Sequence, residues 1–529
     1  MEKEFNILDE PWIKIITTEC EIKEISLQDA LLSAHMFEHL AGELPTQDFA
    51  ILRLLLAVLH AVFYHVDVLG NEAPMENADD AITRWKELWK LGYFPEEPIR
   101  EYLETWRERF WLFHPERPFY QANSAQIGTE YTTAKLNGEL SESSNKLRLF
   151  PQRSGIGKSS VDYAEAARWL LHVNGFDDTS AKPKGRGLPS VGTGWLGKIG
   201  LIAAKGNTLF ETLMLNFVLI DQNEEIWKSA KPIWEMETTP EEERVKIPLV
   251  ADQAALLTLQ SRRLLLKRES GRVIGYSLLG GDFFDRQNAT VEQMTVWYAN
   301  YEGNIRTGFS PKRHTKAHQM WRDFSVLTVQ NDKQIPPGVI LWNQYLIRSM
   351  CLPKRLINYQ IASVQYGDKD FYITDIFSDS LSFSVTLFQE FSIPWRERII
   401  VEIEHCEKIA KQIGLLAKEI QLAAGKRSEY DVLSDYVGQY FYRIDVPFRQ
   451  WLRSLDPEEM ELEDAMDSWR KQAKQIALEY GKQIVNEAGH AAFIGSTITE
   501  KKNNIEIKHF YSAPKSYNTF ISQLNKLDR

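Results

Sequence analysis

"IPWRERIIVEIEHCEKIAKQIGLLAKEIQLAAG", residues 393–425, carries apolar or small side chains at Ile399, Ile403, Cys406, Ala410, Ile413, Ala417 and Ile420. The steps alternate between four and three residues, which puts all seven on one stripe of a long α-helix. Such a stripe must be buried against other helices. Ser392 stands where an N-cap is expected and Gly425 where the helix should end. Further helical patterns cover 428–441, 448–455, 457–487 and 511–527, the third with Trp469, Ala473, Ile476 and Tyr480 on one face. Long amphipathic helices with short connections predict a helical bundle of the four-helix type over residues 391–529.

Upstream the pattern changes. Strand-like runs such as "FNILDEPWIKII" (5–16) and "FYITDIF" (371–377) alternate with helical patterns over 51–66 and 161–172, and many Gly and Pro residues imply long loops. A chain of 529 residues exceeds the usual single-domain range. The expected fold is therefore α+β: a large mixed α/β N-terminal domain with long loops, residues 1–390, followed by the bundle.

Composition narrows the class. With 43% hydrophobic and 26% charged residues the chain reads as a folded globular protein. The most apolar stretch, 49–68, is interrupted by Arg53, His60, His65 and Asp67, which reads as a buried core helix rather than a membrane span. The charged opening "MEKEFNILDEPW" does not resemble a signal peptide. Three distant cysteines, Cys20, Cys351 and Cys406, suit neither a disulfide framework nor a cysteine-rich zinc site, so a cytoplasmic location is expected.

Two segments imitate nucleotide sites. "SVGTGWLG" (190–197) places Gly192, Gly194 and Gly197 in dinucleotide-loop spacing, but the preceding "SAKPKGRGLP" is no buried strand and no long helix follows. "LFPQRSGIGKSSVDYAEAARWLL" (149–171) ends like a P-loop at Gly157, Lys158 and Ser159, yet Gln152 stands where the first glycine belongs. Asp221, closing "LNFVLID", is the matching candidate for a magnesium-holding acid. A P-loop or dinucleotide-dependent enzyme is the alternative these segments leave open. There is no His-Glu-x-x-His and no Cys-x-x-Cys, and no catalytic residue, cofactor or metal is expected.

Charge distribution is more informative than the net charge of −11. Four windows carry an excess of cations: 143–161 with Lys146, Arg148, Arg153 and Lys158; 179–210 with Lys182, Lys184, Arg186, Lys198 and Lys205; 303–322 with Arg306, Lys312, Arg313, Lys316 and Arg322; and 333–367 with Lys333, Arg348, Lys354 and Arg355. Together they predict one positive surface, assembled from loops, that meets nucleic acid. In "KPKGRGLPSVGTGWLG" (182–197), Lys182, Lys184 and Arg186 can meet phosphates. Gly185 and Gly187 remove side chains where the backbone approaches another backbone or a groove edge.

At this point the sequence resembles the CasA family, the large subunit of the type I-E CRISPR Cascade surveillance complex. The resemblance is carried, in order along nearly the whole chain, by "FNILDEPWIKI", "RPFYQ", "GTGWLGKIG" followed by "TLFETLMLNFV", "SPKRH", "VQYGDKD" and the helical C-terminal part. It implies a non-catalytic subunit that reads a protospacer-adjacent motif in double-stranded target DNA and promotes duplex opening for guide RNA pairing. It also implies partnership with other Cascade subunits and with a separate helicase-nuclease. A family loop resembles residues 145–158, with Arg148, Gln152, Arg153 and Lys158; a glycine loop resembles 182–192, with Lys182, Lys184, Gly185, Arg186 and Gly187; Lys198 follows in the same window. A hairpin wedge resembles 365–371, with Lys369 and Phe371 as DNA contacts. The chain departs from the family where a minor-groove lysine corresponds to Gln293, and where the wedge offers "YGDKDF" in place of a glutamine.

Overall fold

In a computed structural model of the chain, residues 3–136, 153–178, 192–236, 250, 252–282, 290–426, 430–502 and 505–527 are described. They form two compact units. The first comprises Met1–Lys316, Val326–Leu352 and Asn358–Ser380; the second comprises Ala317–Ser325, Pro353–Ile357 and Leu381–Arg529. The second unit thus gathers two short upstream segments as well as the C-terminal region.

The first unit is built on the helix Pro45–Phe63, apolar around most of its circumference and buried on every face. It is long and apolar enough to cross a membrane, and 94% of that stretch is buried inside the protein. It begins earlier than the expected residue 51 because Pro45 already supplies first-turn geometry. It ends at Phe63, and Val66 instead pairs with Glu72 in an isolated β-bridge. Arg53 survives mid-helix because its guanidinium meets both oxygens of buried Glu292 at 2.9 Å. His60 lies in the core against Phe217, and burial pushes its imidazole down to about 3, so it is neutral there.

The helix Tyr163–Phe176 starts at Asp162, whose carboxylate accepts from Glu165 N–H. Strands among the described residues form small sheets of two or three rather than one doubly wound sheet. One of them positions the candidate site: Leu201–Lys205 pairs antiparallel with Leu356–Tyr366, which continues through a tight tip into Ile373–Ser384.

In the second unit the long helix spans Ile393–Ala423, and all seven residues of its stripe are buried. Gly425 follows it in the left-handed conformation. Ser392 does not cap it. Its hydroxyl donates instead to Thr386 O at 2.7 Å, in a fully buried position. Ser392→Ala is expected to cost about 1 kcal/mol. Ser392→Asp, which would preserve a true cap, should cost more, because a buried carboxylate would face a carbonyl; denaturant midpoints of the two variants distinguish the cases.

The helices expected over 428–441 and 448–455 are one, Tyr430–Ser454, running through Pro447. Ile444 and Phe448 on either side are fully buried, and that packing offsets the roughly 3 kcal/mol a mid-helix proline costs. Leu462–Asn486 and Ala513–Leu527 complete the bundle. Trp321, from the upstream segment, stacks on Phe448 at 4.2 Å and donates to Asp445 at 2.8 Å. An antiparallel hairpin, Ser496–Lys502 with Ile505–Tyr511, stands where a purely helical region was expected.

Candidate nucleic-acid interface

Residues 137–152 and 179–191, and with them Arg148, Gln152, Lys182, Lys184, Gly185, Arg186 and Gly187, lie outside the described residues. Their flanks are described, and they converge. Lys135 forms ion pairs with Asp178 and, at 3.7 Å, with Asp177; Arg262 Nε donates to Asp177 Oδ2 at 2.6 Å. Arg262 Nη2 also donates to Asp178 O at 3.1 Å and to Gly192 O at 2.6 Å. All four charged residues are buried. One guanidinium therefore holds Asp178 and Gly192, the residues that bracket 179–191, beside each other, and Lys135, just ahead of 137–152, joins the same cluster.

The glycines of "GTGWLG" have internal duties. A Cβ on Gly194 would lie 2.3 Å from Gly175 O, and one on Gly197 would lie 2.0 Å from the Tyr366 hydroxyl oxygen. Gly194 N–H donates to Asp177 O at 2.9 Å, and Trp195 N–H to Ser261 Oγ at 2.8 Å. The dinucleotide spacing thus reflects close packing of backbone against helix and hairpin. The P-loop imitation resolves similarly: Ile156–Ser159 is one helical turn followed by extended Ser160. The next helix begins with Asp162 and Glu165 at its N-terminus, acids that repel a phosphate. Asp221 turns its carboxylate onto Asn223 N–H and Glu225 N–H. Among the described residues no group of three His, Cys, Asp or Glu side chains is arranged to hold a metal ion.

The hairpin is the best-defined part of the site. Between Tyr366 and Ile373 the chain turns through Gly367–Asp370, with Gly367 N–H donating to Tyr372 O at 2.8 Å and Asp370 N–H to Gly367 O at 3.0 Å. Lys369 and Asp370 are both left-handed, at φ 54° and 57°. Lys369 is exposed, and Phe371 and Tyr372 are 44% and 39% exposed, a pair of rings next to a lysine at the tip. Arg313, in the "SPKRH" window, grips Asp370 through two bonds of 3.1 and 3.0 Å, and its guanidinium lies 5.7 Å from the Tyr366 ring. Its Nε reaches Lys198 O at 3.4 Å. Burial pushes the Tyr366 phenol well above the usual tyrosine range, so it remains a donor, here to Phe176 O at 2.6 Å. Lys198, Arg313 and the Lys369–Phe371 turn, three pieces far apart in sequence, are brought to one neighbourhood.

Several other cations hold partners away from the tip. Arg153 pairs with Glu165. Lys158 lies on the single turn Ile156–Ser159, where its backbone carbonyl accepts from the Thr133 hydroxyl. Arg348 pairs with Glu224 in the first unit, whereas Lys354 pairs with Asp456 and Glu458, and Arg322 with Glu407, in the second. Gln293 is buried, its amide donating to Thr290 O and Val291 O at 2.9 Å each, so the side chain points inward rather than toward a ligand. Sequence reading missed Tyr366, Tyr372 and the Lys135–Asp177–Asp178–Arg262 cluster. Adjacent charges abutting apolar runs, as in "GFDD" and "SRRLLL", were the only hint.

A model of the family described as CRISPR-associated protein Cse1 matches residues 6–480. The CasA/Cse1 protein of Thermus thermophilus is 31% identical over 332 residues, spanning 61% of this chain and 60% of that relative. The crystal structure of Thermobifida fusca Cse1 matches with TM-score 0.82 and 25% identity over 99% of this chain and 98% of that one. A chain from a CRISPR RNA-guided surveillance complex has the same fold, with TM-score 0.71 and 16% identity over 99% of this chain and 100% of that one. Fold and relatives together define a CRISPR-associated protein. Within that class, the chain belongs to the Cse1 family, also called CasA.

Proposed function

We propose that the chain serves, without catalysis of its own, as the large subunit of an RNA-guided antiviral surveillance complex. It reads a short motif beside the target in double-stranded DNA, promotes opening of the duplex for guide RNA pairing, and positions a separate helicase-nuclease. The observation that carries this reading is the tip at Gly367–Tyr372. There a lysine and two exposed rings are presented by a braced hairpin beside Lys198 and Arg313. A cation can meet backbone or base edges while a ring enters a base step, and guide pairing repays the few kcal/mol that unstacking costs. Since the guide supplies most of the sequence specificity, the protein need read only a few base pairs.

The decisive experiment is target binding by the assembled complex over a library randomised in the base pairs beside the target. A preference for particular motifs is expected, and a flat response would remove the reading. Lys184→Ala with Arg186→Ala should weaken binding and lower the slope of log affinity against log salt by about one to two units, as loss of phosphate contacts requires. An unchanged slope would place these side chains away from DNA.

A further inference from the structure

The tip is held in a conformation that its own sequence disfavours. Lys369 and Asp370 are consecutive non-glycine residues in the left-handed region, at φ 54° and 57°, and such a pair persists only where its surroundings impose it. Within the hairpin, the bracing bonds come from the backbone: Gly367 N–H to Tyr372 O, Asp370 N–H to Gly367 O at 3.0 Å and Phe371 N–H to Asp368 O at 3.1 Å. Outside the hairpin, the matching partner is Arg313. Its guanidinium meets both carboxylate oxygens of Asp370 in the fork geometry that fixes direction as well as distance. Arg313 is itself oriented by the Tyr366 ring and by Lys198 O, and Tyr366 is tied through Phe176 O to the end of the helix Tyr163–Phe176. A continuous line of contacts thus runs from that helix, through Tyr366 and Arg313, to Asp370, the residue immediately before Phe371 and Tyr372.

We propose that Arg313 is the positioning residue of the strand-separating hairpin: by clamping Asp370 it sets the direction in which Lys369, Phe371 and Tyr372 are presented to the first base pairs of target DNA. The inference rests on the proposed duplex-opening role and adds to it a residue that touches no base. It also changes the electrostatics of the tip. Asp370 is matched by a cation, so the tip repels phosphate less than its sequence suggests, and the Arg313 charge is spent on geometry rather than on DNA.

The two uses of Arg313, clamp and phosphate contact, predict opposite signs for Asp370→Asn. Asparagine tolerates the left-handed conformation, so the turn is kept while the ion pair is lost. The test uses full-length variants assembled in the complex, with 2-aminopurine at the first base pairs reporting opening. It compares a fully paired target with one whose first base pairs are mismatched. As a clamp, Arg313→Gln and Asp370→Asn should each slow opening of the paired target by about fivefold, with Arg313→Lys slowed less and binding of the mismatched target unchanged in all three. As a phosphate contact, Arg313→Gln should weaken both targets and lower the salt slope by about one, while Asp370→Asn, by releasing the guanidinium, should tighten both. That second pattern overturns the proposal. So does wild-type behaviour of all three variants when deletion of residues 367–370 still discriminates between the targets. If that deletion fails to discriminate, the strand-separating role falls, and the clamp with it.

Discussion

Arg262→Met is expected to cost roughly 3–5 kcal/mol, the penalty for leaving buried charge without its partner. Methionine fills much of the volume but supplies none of the bonds to Asp177 Oδ2, Asp178 O and Gly192 O. Two buried carboxylates, Asp177 and Asp178, would then face Lys135 without the Arg262 charge beside it. The backbone carbonyls of Asp178 and Gly192 would also lose a charged donor, the first of them in a buried position, which adds to the electrostatic loss. The denaturant midpoint of the full-length chain, followed by tryptophan fluorescence, measures the effect. Trp195, whose N–H bonds Ser261 next to Arg262, should report it early. Combining Arg262→Met with Asp177→Asn should recover part of the loss, because the uncompensated charge is then removed, and the coupling is read from the double-mutant cycle. A change within about 0.5 kcal/mol, the range of ordinary surface substitutions, would mean that the cluster does not hold the segment ends together.

Deleting residues 367–370 is expected to slow opening of a fully paired target by about tenfold to a hundredfold while sparing a target already mismatched at its first base pairs. The magnitude follows from the few kcal/mol needed to unstack a base step, which an inserted ring compensates at about 1–3 kcal/mol per stacked base. The mismatched target has no such step to open. Replacing both Phe371 and Tyr372 by alanine removes the rings and leaves the Gly367–Asp370 turn and its Arg313 contact in place, so it should reproduce most of the effect. Equal losses on the two targets would assign the hairpin to folding or assembly instead.

The amino-acid sequence by itself determined the periodic elements and the family. The 393–425 stripe became a helix with all seven stripe residues buried, because a three-four spacing is a property of neighbours along the chain. The apolar stretch around 49–68 became a core helix, offset by a few residues where Pro45 and the Val66–Glu72 bridge set its ends. The rejection of a dinucleotide loop at 190–197 was legible from the missing strand, and the cationic "SPKRH" segment and the "VQYGDKD" turn were recognised separately.

Everything that joins segments was decided by tertiary structure. Pro447 reads locally as a break, yet Ile444 and Phe448 are buried deeply enough to carry the helix through it. Trp321 belongs with the bundle although more than a hundred residues separate it from Phe448. Gly197 is required by a tyrosine 169 positions later, and Asp370 is neutralised by an arginine 57 positions earlier. Gln293, which the family resemblance sets at a groove-reading position, is turned into the protein by two carbonyls. The physical reason is common to all of them. Propensity and periodicity are set by residues within a turn or two, whereas ion pairs, close backbone contacts and imposed left-handed turns depend on which distant surfaces meet, and a single sequence does not encode that choice in any local pattern.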